Sequence, residues 1–118
     1  MIYLACPYSH PDPKVQKMRA DTATKVATQM IQSGTIVFSP LTYTAAMQKL
    51  GVHKTSKGWL LFLLPFMEAC TSMYVLTLAG WQESIGVTDE IKFFREKKKP
   101  FFLMSPDYGD STIITTWG

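Results

Sequence analysis

Short apolar runs alternate with longer amphipathic segments along the chain. Four runs have the length and the β-branched or aromatic content of strands: Ile2 to Cys6, Thr35 to Ser39, Ser72 to Leu78 and Pro100 to Met104. They are nearly continuous in their hydrophobicity, which is typical of strands covered on both faces of a parallel sheet. The pattern therefore predicts a buried sheet with crossover segments between its strands.

The segments between these runs show mainly helical spacing. Helices are predicted over Lys14 to Ser33, Gly58 to Cys70 and Ile85 to Lys98, with Pro65 near a start or a kink of the second one. Leu41 to Lys57 is interpreted as a long connection with a helical turn around Ala45 to Leu50. A connection of this length in a compact domain is often functional.

This order of elements predicts an α/β fold. We expect a three-layer, flavodoxin- or Rossmann-like parallel sheet of about five strands, with helices on both faces. The chain has 118 residues and is interpreted as a single domain over 1–118, in which Thr112 to Thr116 could add an edge strand. Ligands bind beyond the carboxyl ends of such strands, so the loops Pro7 to Pro13 and Ala79 to Ser84 are the first candidates for a site.

The composition argues against nucleic acid binding and against a metal site. Hydrophobic residues make up 47% of the chain, and the net charge of +3 equals the contribution of the run Lys97 to Lys99. No basic face for a nucleic acid polymer is therefore expected. The two cysteines, Cys6 and Cys70, lie far apart among apolar neighbours, which is typical of buried thiols in a reducing compartment. Neither they nor the two histidines have metal-ligand spacing, so we expect no metal.

Nothing in the chain predicts a membrane partner. The segment Met1 to Pro7 lacks a basic region and a long apolar core, so it is not expected to be a signal peptide. The most hydrophobic stretch, Trp59 to Phe66, is too short to span a bilayer. The sequence favours a cytoplasmic protein.

The start of the last predicted helix carries the candidate chemistry. Ser84 is a good N-cap, Gly86 would let a ligand approach the backbone, and Glu90 follows about one turn later. A helix N-terminus suits a phosphate or another anion. On these residues alone, an ordinary cap and an acidic residue favoured by the helix dipole are the more common explanation.

Several short motifs favour a functional site over an ordinary helix cap. The opening Ile2-Tyr3-Leu4-Ala5-Cys6-Pro7, the segment Ser84-Ile85-Gly86-Val87-Thr88-Asp89-Glu90-Ile91 and the pair Lys99-Pro100 occur in this order. They resemble motifs of nucleoside 2-deoxyribosyltransferases and deoxynucleoside 5′-monophosphate N-glycosidases. Three further segments resemble an uncharacterised bacterial and phage branch of that superfamily: Pro7 to Pro13, Phe38-Ser39-Pro40 and Gly80 to Val87. The resemblance covers about residues 2 to 104.

The resemblance implies cleavage or transfer at an N-glycosidic bond, with retention at the sugar. Glu90 would be the nucleophile, Tyr3 would hold its carboxylate by a hydrogen bond, and Ser84 with the Gly86 backbone would bind phosphate. No metal or organic cofactor is implied, and the assembly would be a homodimer or a higher homo-oligomer. The remaining expected substrate contacts are Pro7, Tyr8, Ser9, Trp59, Trp81, Val87 and Asp89.

The sequence departs from the family where a general acid is expected. Leu63 stands at the position of an Asp that contacts the base or helps to protonate the leaving group, and Thr71 replaces a second Asp. Tyr43 and Ala45 replace histidines that often follow Phe-Ser-Pro. A substitute acid would have to come from one of four residues: Asp89, Glu83, His10 or His53.

Two alternatives follow from these observations. A pocket that keeps phosphate and base recognition without its acid would bind a nucleotide and leave it intact. The stretch Trp59 to Phe66 is apolar on all sides, which is also consistent with a homo-oligomeric interaction protein.

Overall fold

A five-stranded sheet runs through the middle of the molecule. The computed structural model describes residues 1–107 and the backbone of residues 114–116. The strands follow the order β2-β1-β3-β4-β5 across the sheet. Their bounds are β1 Ile2–Ala5, β2 Val37–Phe38, β3 Ser72–Leu76, β4 Phe101–Met104 and β5 Ile114–Thr116. The first four are parallel to one another.

Helices cover both faces of this sheet. Their bounds are α1 Pro13–Gln32, α2 Pro40–Lys49, α3 Ser56–Ala69 and α4 Ile85–Glu96. Alternate residues of β1 point to opposite sides, so Leu4 packs with α1 and α2 while Tyr3 and Ala5 pack with α3 and α4. The predicted three-layer α/β fold is confirmed.

The fifth strand differs from the expectation of an all-parallel sheet. β5 pairs with β4 in the antiparallel direction, with Phe102 opposite Thr116. A parallel neighbour needs a crossover of a dozen or more residues, and the connection 105–113 is shorter than that. The edge strand expected over Thr112 to Thr116 is present at Ile114–Thr116, and its first two residues lie outside the described part of the chain.

The segment interpreted as a long connection contains a full helix, α2. Ser39 is its N-cap, and Pro40 occupies the first turn, where the missing N–H of a proline costs nothing. Thr44 and Ala45 face the core, so tertiary packing holds the helix. The segment without regular structure between α2 and α3 is therefore only residues 50–55.

Helix α3 continues through Pro65 to Ala69. Pro65 is an exposed residue inside the helix and does not mark its start. The proline removes one hydrogen bond of the helix. Among the described residues, no helix is long and apolar enough to cross a membrane.

Candidate functional site

The cavity lined by Glu90, named the principal cavity for that reason, opens at the carboxyl ends of β1 and β3. These strands are neighbours in the sheet, but the chain leaves β1 toward β2 and leaves β3 toward β4, in opposite directions. Sheets of α/β proteins bind ligands at such a switch point. The cavity has a volume of about 200 Å³. Its walls come from the β1 loop, the starts of α2 and α3, and the first turns of α4.

Glu90 lies on the wall of this cavity and is 7% exposed. It accepts a hydrogen bond at Oε2 from the hydroxyl of Tyr3, which is fully buried on β1. Tyr3 reaches Glu90 because residue 3 points to the α4 side of the sheet, where α4 packs through Val87 and Phe94. The hydrogen bond expected between these two side chains is therefore present.

Burial controls the protonation of this pair. The pKa of the Glu90 carboxyl is raised to about 7 in total: desolvation is the largest cause and raises it, the hydrogen bond from Tyr3 lowers it, and the charge of Asp89 raises it. Desolvation, with the charge and the hydrogen bond of Glu90, raises the pKa of Tyr3 well above its ordinary value. Near neutral pH, Glu90 is therefore present in both its protonated and its charged form, while the Tyr3 hydroxyl stays protonated.

The N-terminus of α4 lines the same cavity. Ser84 caps it, because its Oγ accepts a hydrogen bond from the Val87 N–H at 3.3 Å. A Cβ built on Gly86 would meet nothing closer than Ser84 Oγ at 4.0 Å, so packing does not require a glycine there. The bare backbone leaves this first turn open to an approaching group.

The opposite wall is apolar and aromatic, with one cation. Trp59, Leu60 and Leu63 of α3 line it. Lys54 Nζ lies 5.9 Å from the ring centroid of Trp59 and 5.9 Å from that of Phe62. This wall offers a flat ring surface and a positive charge to a ligand.

Most of the expected substrate contacts lie around this cavity. Its lining includes Tyr8, Ser9, Trp59, Ser84, Gly86, Val87 and Asp89. Pro7 and Trp81 lie outside the lining. Pro7 is fully buried, and Trp81 packs against the core between the sheet and α4.

The four candidate acids separate into three locations. Asp89 lines the principal cavity beside Glu90. His10 and Glu83 line a second cavity of about 270 Å³, and His53 lines neither cavity. Leu63 contributes an apolar surface where the resemblance implies an acid.

Several cavity residues carry no signal in the sequence motifs, and three of them have long polar side chains. Gln48 and Lys54 line the principal cavity from the region interpreted as a connection, and its length was the indication of a functional role. Arg19 lines the second cavity from α1. Its spacing with Ala23, Val26 and Met30 on the buried face of that helix would have identified it as an interior arginine.

The described residues contain no group of three or more histidine, cysteine or acidic side chains that could hold a metal ion.

One family of proteins matches nearly the whole chain. The family model described as a domain of unknown function (DUF1937) matches residues 1–106, a span that includes the four parallel strands, the four helices and the Tyr3–Glu90 pair. No curated protein is significantly similar in sequence. Since the match covers most of the chain, this protein belongs to the DUF1937 family.

Proposed function

We propose that the protein cleaves or transfers at the N-glycosidic bond of a deoxynucleoside, a nucleoside or a nucleoside 5′-monophosphate. The observation that carries this proposal is the buried Tyr3–Glu90 hydrogen bond on the wall of the principal cavity. The resemblance of the chain to nucleoside 2-deoxyribosyltransferases and deoxynucleoside 5′-monophosphate N-glycosidases supports it. In those enzymes, the residues that match Tyr3 and Glu90 have the same two roles.

Glu90 acts as a nucleophile in this mechanism. Its carboxylate attacks C1′ of the sugar, the bond from C1′ to the base nitrogen breaks, and the base leaves with the bonding electrons. Water or a second base then attacks C1′ and releases the carboxylate. Tyr3 donates to one carboxylate oxygen and so orients the other toward the sugar.

The protonation state of Glu90 limits this step. Only the carboxylate is nucleophilic, and burial raises the pKa of Glu90 to about 7. The hydrogen bond from Tyr3 favours the charged form and keeps the pKa from rising further. Tyr3 thus orients the nucleophile and also increases the fraction that can react.

Ser84 and Gly86 bind the 5′ end of the substrate in this proposal. Both lie on the first turn of α4, whose free N–H groups and positive partial charge favour an anion. Glu90 follows on the same helix and lines the same cavity, so a ligand held at the helix end reaches the carboxylate with its sugar. Trp59, on the opposite wall, offers a ring for the base.

Asp89 is the candidate for the leaving-group acid. It is the other carboxyl side chain among the described residues that line the principal cavity. Delivery of a proton to the departing base typically contributes about 10²–10⁴-fold to the rate. Leu63 cannot supply that proton, so we assign the role to the protonated form of Asp89, which gives its carboxyl proton to the departing base and regains one from solvent.

A second candidate function is binding of an intact nucleotide. Leu63 favours it, because the wall that would face the base is apolar there. The substitution Leu63→Asp separates the two functions. A binding protein that has lost only its acid gains base release with this substitution, whereas an enzyme that uses Asp89 already releases base without it.

The proposal includes a cytoplasmic homodimer. Among the residues of α3, all of which the structure describes, only Met67 is buried, although the helix is almost entirely apolar. A second copy of the chain would cover the remaining face. The two cysteines are free thiols, in agreement with a reducing compartment.

The test is an incubation of the protein with a panel of nucleosides and deoxynucleoside monophosphates, followed by chromatography for free base. We expect wild type to release base, Glu90→Gln to lose nearly all of that activity, and the control Glu96→Gln, at an exposed position of the same helix, to keep it. Addition of a second base then separates transfer from hydrolysis. Base release that survives in Glu90→Gln would contradict the assignment of the nucleophile.

A further inference from the structure

Arg19 is a buried arginine that joins the two loops flanking the candidate site. It lies on α1 and is 6% exposed. Its Nη1 donates to the backbone oxygens of Tyr8 at 3.4 Å and Ser9 at 3.0 Å, and its Nη2 donates to that of Ala79 at 2.8 Å. The first two oxygens belong to the loop after β1 and the third to the loop after β3.

These bonds connect parts of the site that are distant in sequence. Ser9 follows β1 and lines the principal cavity. Ala79 precedes the short 3-10 helix Trp81–Glu83, which leads directly into Ser84, the N-cap of α4. The planar guanidinium therefore fixes the distance between the Ser9 loop and the start of α4.

Gly80 is adapted to this arginine in two ways. Its φ is +87°, a left-handed conformation that favours glycine. A Cβ built on it would lie 2.9 Å from Arg19 Nη2, so a larger residue at this position would force the guanidinium to shift. The loop and the guanidinium thus fit closely only while residue 80 is a glycine.

No acidic side chain of the described residues neutralises the charge of Arg19. Among the described residues, its partners are neutral carbonyl oxygens, it forms no salt bridge, and Nε is buried without a hydrogen-bond partner. Glu83 lines the same second cavity without pairing with it. A buried cation without a counter-ion is unfavourable, and an anion bound nearby reduces that cost.

We propose that Arg19 is a positioning residue that holds the Ser9 loop and the start of α4 in the geometry for an anionic substrate group. This inference rests on the proposed function and refines it: the substrate is a nucleoside 5′-phosphate in preference to a free nucleoside. Arg19 acts through Ser9 and Ser84, which face the ligand, and through the field of its buried charge.

The test compares the affinities for a deoxynucleoside and its 5′-monophosphate by titration calorimetry. We expect wild type to prefer the monophosphate and Arg19→Gln to lose about tenfold or more of that affinity, with the nucleoside affinity nearly unchanged. Arg19→Lys keeps the charge without the planar fork and restores only part of the loss. The control Lys25→Gln removes a charge from an exposed position of α1 and leaves both affinities unchanged.

A second pair of variants disturbs the position of Arg19 and keeps its charge. This pair tests the inference even if Arg19→Gln does not fold. Gly80→Ala pushes against Nη2 and should lower the monophosphate affinity selectively. Gly34→Ala is its control, since Gly34 has the same φ of +87° and open space around it.

The outcomes separate this inference from the proposed chemistry. Equal losses for both ligands in folded variants, or a wild type that binds both ligands equally well, would overturn the role of Arg19. An Arg19-dependent preference without base release leaves the role of Arg19 intact and contradicts the catalytic proposal. A wild type that binds neither ligand overturns both.

Discussion

At the residue scale, burial and two neighbouring side chains control the protonation of Glu90. The carboxyl is hidden from water, accepts a hydrogen bond from Tyr3 and has Asp89 as its neighbour on α4. Desolvation and the charge of Asp89 raise the pKa of Glu90, and the hydrogen bond from Tyr3 lowers it. Desolvation has the largest effect of the three. The pH dependence of activity therefore reports on the same contacts as the structure.

The first prediction concerns that pH dependence. We expect kcat/KM to rise as the pH passes through about 7, because Glu90 must lose its proton to attack and its pKa is raised to about 7. Tyr3→Phe removes the hydrogen bond that lowers the pKa, so it should move the midpoint to higher pH and reduce the rate. The control Tyr74→Phe lies on the α1 side of the sheet and should leave the midpoint unchanged. A midpoint that stays in place in Tyr3→Phe would contradict the pairing.

The second prediction concerns stability. The pKa of Glu90 is about 7 in the folded protein against an ordinary value of 4.5, so the folded state holds the proton more tightly than the unfolded state. Stability should then fall as the pH rises from about 4.5 to about 7, and the charged carboxylate should cost up to about 3 kcal/mol above that window.

Glu90→Gln removes that cost. In urea unfolding, it should raise the free energy of unfolding at about pH 8 by about 1–3 kcal/mol over wild type, with little gain near pH 4.5. The exposed control Glu83→Gln should change stability little at either pH. A difference between Glu90→Gln and wild type that does not change with pH would mean that the buried carboxyl is not the cause.

Single residues of the site differed in how far the sequence could predict them. The Tyr3–Glu90 hydrogen bond was expected only from the resemblance, because no local pattern brings residues so far apart in sequence together. Arg19 was missed because charged residues of an amphipathic helix normally face water. Trp81 was expected to contact the substrate; it is half-buried and packs against the core outside the lining of the principal cavity, and aromatic content alone does not distinguish the two locations.

At the element scale, the strands of the core were easier to predict than their neighbours. Long apolar runs gave β1, β3 and β4 with bounds close to those observed. Only a helical turn around Ala45 to Leu50 was predicted where the whole of helix α2 lies, because its apolar residues form a weak pattern, although Ser39-Pro40 is a good helix start. The direction of β5 depends on the connection before it, and the strand sequence itself carries no signal for direction.

The third prediction concerns the end of α3. Lys99 Nζ donates to the carbonyl oxygens of Met67 at 3.2 Å, Glu68 at 2.8 Å and Cys70 at 2.8 Å. It thus satisfies the last carbonyls of the helix and places a positive charge at the negative end of its dipole. Lys99→Met should lower the free energy of unfolding by about 1–3 kcal/mol in a denaturant titration.

The matched control is Lys92→Met. It removes the same charge from an exposed position on α4 and should change stability little. If the two variants lose equal stability, the effect comes from net charge, and Lys99 is not a cap of α3.

At the scale of the whole molecule, α3 is more apolar than its surroundings require. Leu61 on this helix is 61% exposed, and Phe62, Phe66 and Tyr43 form a cluster of rings beside it. The sequence predicted an unusual apolar stretch, Trp59 to Phe66, and the structure leaves Leu61 and Pro65 exposed and the other six residues half-buried. A homodimer through this face is the assembly that the proposal includes.

The fourth prediction tests that assembly. We expect sedimentation velocity to give a dimer for wild type and a monomer for Leu61→Glu, because a charge placed in an apolar interface is costly to desolvate. Ile31→Glu is the control, since Ile31 is 59% exposed on α1, on the other side of the sheet. A monomeric wild type, or dissociation by both variants alike, would contradict the assignment of the dimer to α3.

If Glu90 is the nucleophile, it forms a covalent bond to the sugar, and mass spectrometry detects that bond. Wild type mixed with a substrate that releases base is quenched in acid, and its peptides are searched for an added glycosyl group. We expect that group on the peptide that contains Glu90, and its absence from Glu90→Gln. Base release with no adduct on Glu90, or an adduct on another residue, would show that Glu90 is not the nucleophile.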